Sequence, residues 1–393
     1  MTTAARDLTR PLPFHYLTFL DDGDEVTVGR PDIESYCVLP TDGAALLRKL
    51  VDGVPPDAAA AWYAREYGEP VDLDEFLEIL DEFDFLATSE SARTSAPRIR
   101  WRRLGIALFS PAAWVVYGAV AAIAVFVVVR DPNLAPHYRN LFFTDSLVVL
   151  QLGVFFGQIP LILVHEAAHA LAGRRLGLNS SLRIGRRFYF LVFETSLDGL
   201  VTVPRRRRYL PILAGVLADG LVIALLTTTA ALTGAGSGVG RVCLAFAFVT
   251  VLRVVWQSYL FLRTDLYYLT TTVLGCDDLQ AAAGGMLRNR VNRLLGRRSR
   301  LVDETVWPAR DRAVARWYSW LLVAGYGFLV GTLVLAVLPA MLTMLGIVID
   351  RAQGDPTALG LLDAVVFLVL SVGQFVFAGV LAHRNRRRRG LAA

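Results

Sequence analysis

Two patterns of apolar and polar residues succeed one another along the chain. Up to residue 95 they interleave at short intervals. Glu25–Val28 and Tyr36–Leu39 alternate as short strands do. Thr41-Asp42-Gly43 opens a helix with Leu46, Leu47, Leu50 and Val51 on one face, and Pro55-Pro56-Asp57 opens a second over Ala58–Tyr67. Asp72 caps a third, Leu73–Phe83, whose Phe76, Leu77, Leu80 and Phe83 share a side. Asp84-Phe85-Leu86 then ends against a small core. The order predicts a winged-helix-like α+β domain within residues 1–95, closed by a Ser/Thr/Ala linker over Ala87–Ser95.

From residue 96 to 393 long apolar runs replace this alternation. An apolar stretch of about 18 residues or more reads as a membrane-spanning helix. Six such stretches fall at about 105–129, 146–173, 209–234, 240–262, 317–338 and 359–382. The fifth continues past Leu338-Pro339 to Ile349, as a kink or a half-buried turn. The predicted fold class is an α-helical polytopic membrane protein of about six spans, with a small N-terminal α+β domain.

Composition changes the picture in one respect. The chain is 54% hydrophobic and 19% charged, against about 25% charged in a soluble domain, which excludes a disordered chain. Its net charge of +5 suggests nucleic acid until the arginines are placed. Arg98, Arg100, Arg102 and Arg103 precede the first span. Arg174, Arg175, Arg183, Arg186, Arg187 and Arg205 through Arg208 separate the second from the third. Ten more, from Arg263 to Arg316, separate the fourth from the fifth, and Arg384 and Arg386 through Arg389 follow the last. The alternate loops hold little beyond Arg139, Arg241 and Arg351. Basic residues in every second loop are the signature of cytoplasmic loops, so a multi-pass cell-membrane protein with both termini in the cytoplasm is expected. No cleavable signal peptide is visible in residues 1–30. Nucleic acid drops out as a partner, since residues 27–88 are also rich in Asp and Glu. Cys37, Cys243 and Cys276 are scattered and read as idle thiols.

Within the second span stands Leu163-Val164-His165-Glu166-Ala167-Ala168-His169. Residues four apart on a helix lie about 40° apart around its axis, so both imidazoles can meet one ion. Glu166 adjoins them, where a carboxylate can deprotonate a metal-bound water. Ionisable groups inside a membrane helix are costly, which favours a functional reading over a packing one. His165 precedes Gly173, the cytoplasmic end, by eight residues, a depth of about 12 Å. A catalytic zinc site requires a third protein ligand. His15, His137 and His383 are badly placed, which leaves the carboxylates Asp265, Asp219, Asp198 and Glu194. Asp219 and Arg253 stand at equal depth in consecutive spans and are expected to pair. Asp265 is then the better ligand, with Asp219 the alternative.

The intramembrane His165-Glu166-x-x-His169, followed about a hundred residues on by an Asp-centred motif, resembles the site-2 protease family of membrane zinc metalloproteases. The resemblance implies Zn²⁺ held by His165, His169 and Asp265, with Glu166 as general base. Within that family it more nearly resembles a bacterial branch of peptide zinc metalloproteases, through Arg205–Tyr209, Ala214-Gly215-Val216 and Asp265-Leu266-Tyr267-Tyr268-Leu269. Leu266 stands where that branch has glycine, and Gln257-Ser258-Tyr259 where it has Asn-x-x-Pro. The resemblance implies an intramembrane metallopeptidase acting on a peptide or membrane-bound precursor. The two departures keep open a catalytically inactive metal-binding protein serving export of, or immunity to, a modified peptide. Residues 27–88 separately resemble PqqD-like domains, which implies a leader peptide bound there by strand addition.

Overall fold

In a computed structural model the described residues are 7–87, 99–187, 190–276, 278–353 and 357–390. Among them the side chains at 183–187, 190–194, 198, 375, 378 and 381–390 lie outside the description. The expected linker falls, from residue 88 on, outside the described residues, as do the side chains of Glu194, Asp198 and the last arginines.

The chain divides into two compact units. The first comprises Met1–Ile106 with Ala170–Ser181 and Ser196–Arg208. Its sheet is a meander of β1 (Thr18–Asp22), β2 (Glu25–Arg30) and β3 (Ser35–Pro40), antiparallel throughout. Both expected strands are present, and β1 is an addition to them. Asp22 pairs with Glu25 across a two-residue turn in which Gly23 takes φ +72°, a conformation a glycine adopts without steric cost.

Three helices follow: α1 (Thr41–Val51), α2 (Pro56–Tyr67) and α3 (Leu73–Glu82). Asp72 caps α3 by accepting from the Glu75 backbone N–H at 3.1 Å. Leu46, Leu47, Leu50, Leu77 and Leu80 are fully or almost fully buried against Val26, Val28 and Phe85, which makes the helical faces read from the sequence the core of this domain. Cys37 lies in that core, and burial pushes its thiol up to about 11. Segment 196–208 meets the sheet: Thr202 packs beside Gly29 and Arg205 pairs with Asp22 at 3.4 Å.

The second unit, Ala107–His169, Leu182–Thr195 and Tyr209–Ala393, is built of long helices. After the short α4 (Arg102–Leu108) come α5 (Pro111–Arg130) and α6 (Leu147–Arg175). A two-stranded sheet, β4 (Asn179–Arg187) with β5 (Phe190–Asp198), leads to α7 (Arg205–Thr233) and α8 (Gly238–Gln257). Glu194 and Asp198, two of the carboxylates considered from the sequence, fall on β5. Shorter helices α9 (Asp265–Leu274) and α10 (Leu279–Leu294) precede α11 (Ala309–Thr332), α12 (Leu338–Gln353) and α13 (Ala358–Gly390).

Among the described residues five helices are long and apolar enough to cross a membrane, and a shorter apolar helix spans Ala358–Gln374. On α5 Val115, Val116, Phe126 and Val129 are all exposed, a surface suited to hydrocarbon and not to water. The first long helix starts at Pro111 because Ser110 caps it, accepting from Ala113 N–H at 3.2 Å. The fourth ends at Gln257, five residues before the expected limit.

The fifth is an unbroken helical run of 45 residues, Ala309–Gln353. A π turn, Leu333–Val337, lies just before Pro339. Proline lacks the N–H and crowds the carbonyl four residues back, and the wider turn relieves that clash. The expected interruption at Pro339 is therefore a bulge inside a continuing helix. At the other end of the unit, Asp363 on α13 closes the start of α6: it accepts from Leu147 N–H at 2.7 Å and Val148 N–H at 3.2 Å.

Candidate metal centre

Helices α7 and α9 converge on His165 and His169 of α6. The rings come from α6, one turn apart on the same face, and both are buried, as is Glu166. Nothing in α6 alone fixes which ring nitrogen of each histidine carries a proton; α7 does that. The Nδ1 of His169 lies 2.7 Å from the carbonyl of Pro211. A carbonyl only accepts, so Nδ1 donates to it and Nε2 faces away from α7's carbonyl. The Nδ1 of His165 lies 3.0 Å from Oδ2 of Asp219, which also accepts from Arg253 Nε, so this nitrogen too is the donor.

The two Nε2 atoms face each other at 3.1 Å. Asp265, the first residue of α9, brings Oδ2 to 3.2 Å from Nε2 of His169 and 3.3 Å from Nε2 of His165. Three acceptor atoms thus form a nearly equilateral triangle. When both rings are neutral with Nδ1 protonated, all three facing atoms are acceptors, an arrangement that a shared cation satisfies. A tetrahedral zinc with bonds of about 2.0–2.1 Å sets adjacent ligand atoms about 3.3–3.4 Å apart. The triangle has almost that edge, and two imidazoles with a carboxylate are a donor set that zinc accepts.

The approach of α7 depends on one glycine. A β-carbon at Gly215 would stand 2.3 Å from Nε2 of His169 and 2.5 Å from Nε2 of His165, so only hydrogen fits there. The helix backbone itself forms a wall of the site.

Asp265 is delivered by a pinned connection. After α8 the chain makes a 3-10 turn, Leu260–Leu262, and reverses at Arg263, whose φ of +53° lies in the left-handed region. The Arg263 guanidinium bonds Gln280 at 2.9 Å and Asp278 at 3.3 Å. Gln257 acts twice: its carbonyl accepts from Thr264 Oγ1 at 2.6 Å and its side-chain Oε1 accepts from the Asp265 N–H at 3.0 Å. Leu266 has an ordinary helical backbone within α9, so a glycine is not required at that position. On the other side of the site β5 touches the motif helix, where Thr195 Oγ1 donates to the carbonyl of Glu166 at 3.0 Å.

The structure therefore gathers His165, His169 and Asp265 into one group, with Glu166 adjacent in sequence and buried. The expected Asp219–Arg253 pair forms, with Arg253 Nε 3.0 Å from Oδ2. Asp219 stands behind His165, on Nδ1, and not among the three converging atoms. Sequence reasoning missed Pro211 altogether; Gly215 and Gln257 entered it only as motif positions of the resemblance, without the contacts that the structure gives them. An amide at the end of a span was the one available chemical signal, at Gln257.

No protein-family model, curated protein or solved structure matches the chain.

Proposed function

We propose that this chain is a membrane-embedded zinc metallopeptidase that cleaves a peptide or a membrane-bound precursor. The observation that carries the reading is the convergence of three acceptors, His165 Nε2, His169 Nε2 and Asp265 Oδ2, at 3.1–3.3 Å in an apolar helix bundle. Resemblance of the His165-Glu166-x-x-His169 and Asp265 motifs to site-2 proteases supports it. His165, His169 and Asp265 hold the metal. When bound, zinc polarises a carbonyl and lowers the pKa of a coordinated water.

The remaining work falls to the chain's own side chains. Glu166 receives the proton of the attacking water and passes it to the leaving amine. Asp219 and the Pro211 carbonyl keep both imidazoles turned toward the centre. Gly215 keeps that centre open on the α7 side, and the apolar helices limit water to what enters from the cytoplasmic side. Residues 27–88 bind the leader portion of the substrate, and both termini lie in the cytoplasm, as the arginine pattern implies.

The test compares purified chain with its E166Q variant, reconstituted with a library of membrane-spanning peptides. Loss of cleavage with zinc retained supports the proposal. Equal cleavage by both overturns it. Zinc in both with cleavage by neither converts the assignment to a metal-holding export or immunity protein.

A further inference from the structure

Asp219 is the most completely enclosed carboxylate near the site, at 0% exposure, and the resemblance assigns it nothing. A buried carboxylate needs a counter-charge and hydrogen bonds for its lone pairs. Arg253 of α8 supplies the charge through a fork, Nε to Oδ2 at 3.0 Å and Nη2 to Oδ1. A helix-packing ion pair would be complete at that point. Here Oδ2 is shared, and its second partner is Nδ1 of His165 at 3.0 Å. Arg253 also reaches back to the motif helix, where Nη2 donates to the Leu161 carbonyl at 3.4 Å, one turn before His165. The pair thus ties α8 and α7 to the ring that faces the acceptor triangle.

The two imidazoles are oriented by different partners. His169 rests on the Pro211 backbone carbonyl and His165 on the Asp219 side chain, itself held by Arg253. An acceptor behind an imidazole fixes the ring's orientation, and one held by a second residue fixes it more firmly. Arg253 cancels the charge of Asp219, so this orientation leaves no uncompensated anion beside the centre.

We infer that Asp219 is a positioning residue that, held by Arg253, accepts from Nδ1 of His165 and so keeps that ring turned with its Nε2 toward the other two converging atoms. The inference rests on the metal-site reading above. It assigns Asp219 to the bond behind the ligand, and so excludes it from the ligand set itself.

Removing Asp219 alone leaves a buried cation, so the test uses double variants of the full chain in detergent micelles. In D219N/R253M the amide oxygen still accepts from Nδ1 and no charge is stranded. In D219L/R253M no acceptor remains. Zinc affinity is read by chelator competition, and ligand geometry by the visible absorption of the Co²⁺-loaded protein. The leucine variant is expected to lose about 10- to 100-fold in zinc affinity with a shifted Co²⁺ spectrum, while the asparagine variant stays within a few-fold of wild type. Wild-type behaviour in both doubles, or an equal loss in both, overturns the inference while leaving the metal site standing. A wild-type chain that takes up neither zinc nor Co²⁺ overturns the metal reading and this inference with it.

Discussion

Gly215 and His169 stand so close that a β-carbon on the glycine would lie 2.3 Å from the ring Nε2, inside any allowed contact. The atom in its way belongs to one of the three converging acceptors, not to a flexible side-chain tip. G215A is therefore expected to displace the imidazoles and lower zinc affinity by more than about tenfold, at least as much as losing an outer hydrogen-bond partner. Overpacking of this kind costs about 1–3 kcal/mol of stability in addition. Chelator competition on the variant checks the first figure; an unchanged affinity contradicts the geometry.

Gln257 supplies the acceptor for the Asp265 backbone N–H. Q257L removes that acceptor and leaves the N–H to a buried site, at a cost of about 1–3 kcal/mol. The expected result is weaker zinc binding by a folded chain, read by helical circular dichroism beside the zinc titration. Full affinity in Q257L contradicts the role given to this amide.

In the N-terminal domain the Tyr63 hydroxyl donates to Asp42. That hydrogen bond is the main reason the phenol is pushed up to about 12, with burial and the Asp42 charge adding to it. The same bond holds the Asp42 carboxyl below its usual range. For Tyr63 the folded value is raised, so its contribution to stability is present below about pH 10 and is lost as pH rises toward about 12. For Asp42 the folded value is depressed, so its contribution is present above the ordinary carboxylate range and is lost as pH falls through the lowered value. The wild-type minus Y63F difference in tyrosinate absorbance is expected to titrate near pH 12. A difference curve centred near pH 10 contradicts the pairing.

Leu80 is fully buried in the same domain, where α3 meets the sheet. L80A is expected to cost about 2–5 kcal/mol, and D72A, which removes only the cap of α3, about 1 kcal/mol. Denaturant unfolding of the full chain, followed by protease sensitivity of residues 7–87, ranks the two. The reverse order contradicts the core assignment.

These outcomes follow how much of the molecule is legible in the chain. Leu46, Leu47, Leu50, Leu77 and Leu80 repeat at helical spacing, and a soluble core leaves few other places for them. Strand β1 was missed because Thr18–Asp22 carries little apolar alternation; its pairing comes from the turn at Gly23. Helix limits shifted where a local group decided them, Ser110 at the start of α5 and the turn after Gln257. At the site, His165, Glu166 and His169 are visible because they are expensive in an apolar helix. Asp219 and Arg253 are visible as a pair for the same reason. That Asp219 also reaches His165 is not, since it depends on the rotation of α7 against α6, which no spacing encodes. Pro211 contributes a backbone carbonyl and Gly215 the absence of a side chain, and neither leaves a chemical signature in sequence.

The most direct measurement is the zinc content of the purified wild-type chain beside H165A, H169A and D265A. About one zinc per wild-type chain, with loss from each variant and retention in E166Q, is the expected result. Zinc content that is unaffected by those three substitutions, or a wild-type chain that binds none when supplied with it, contradicts the account.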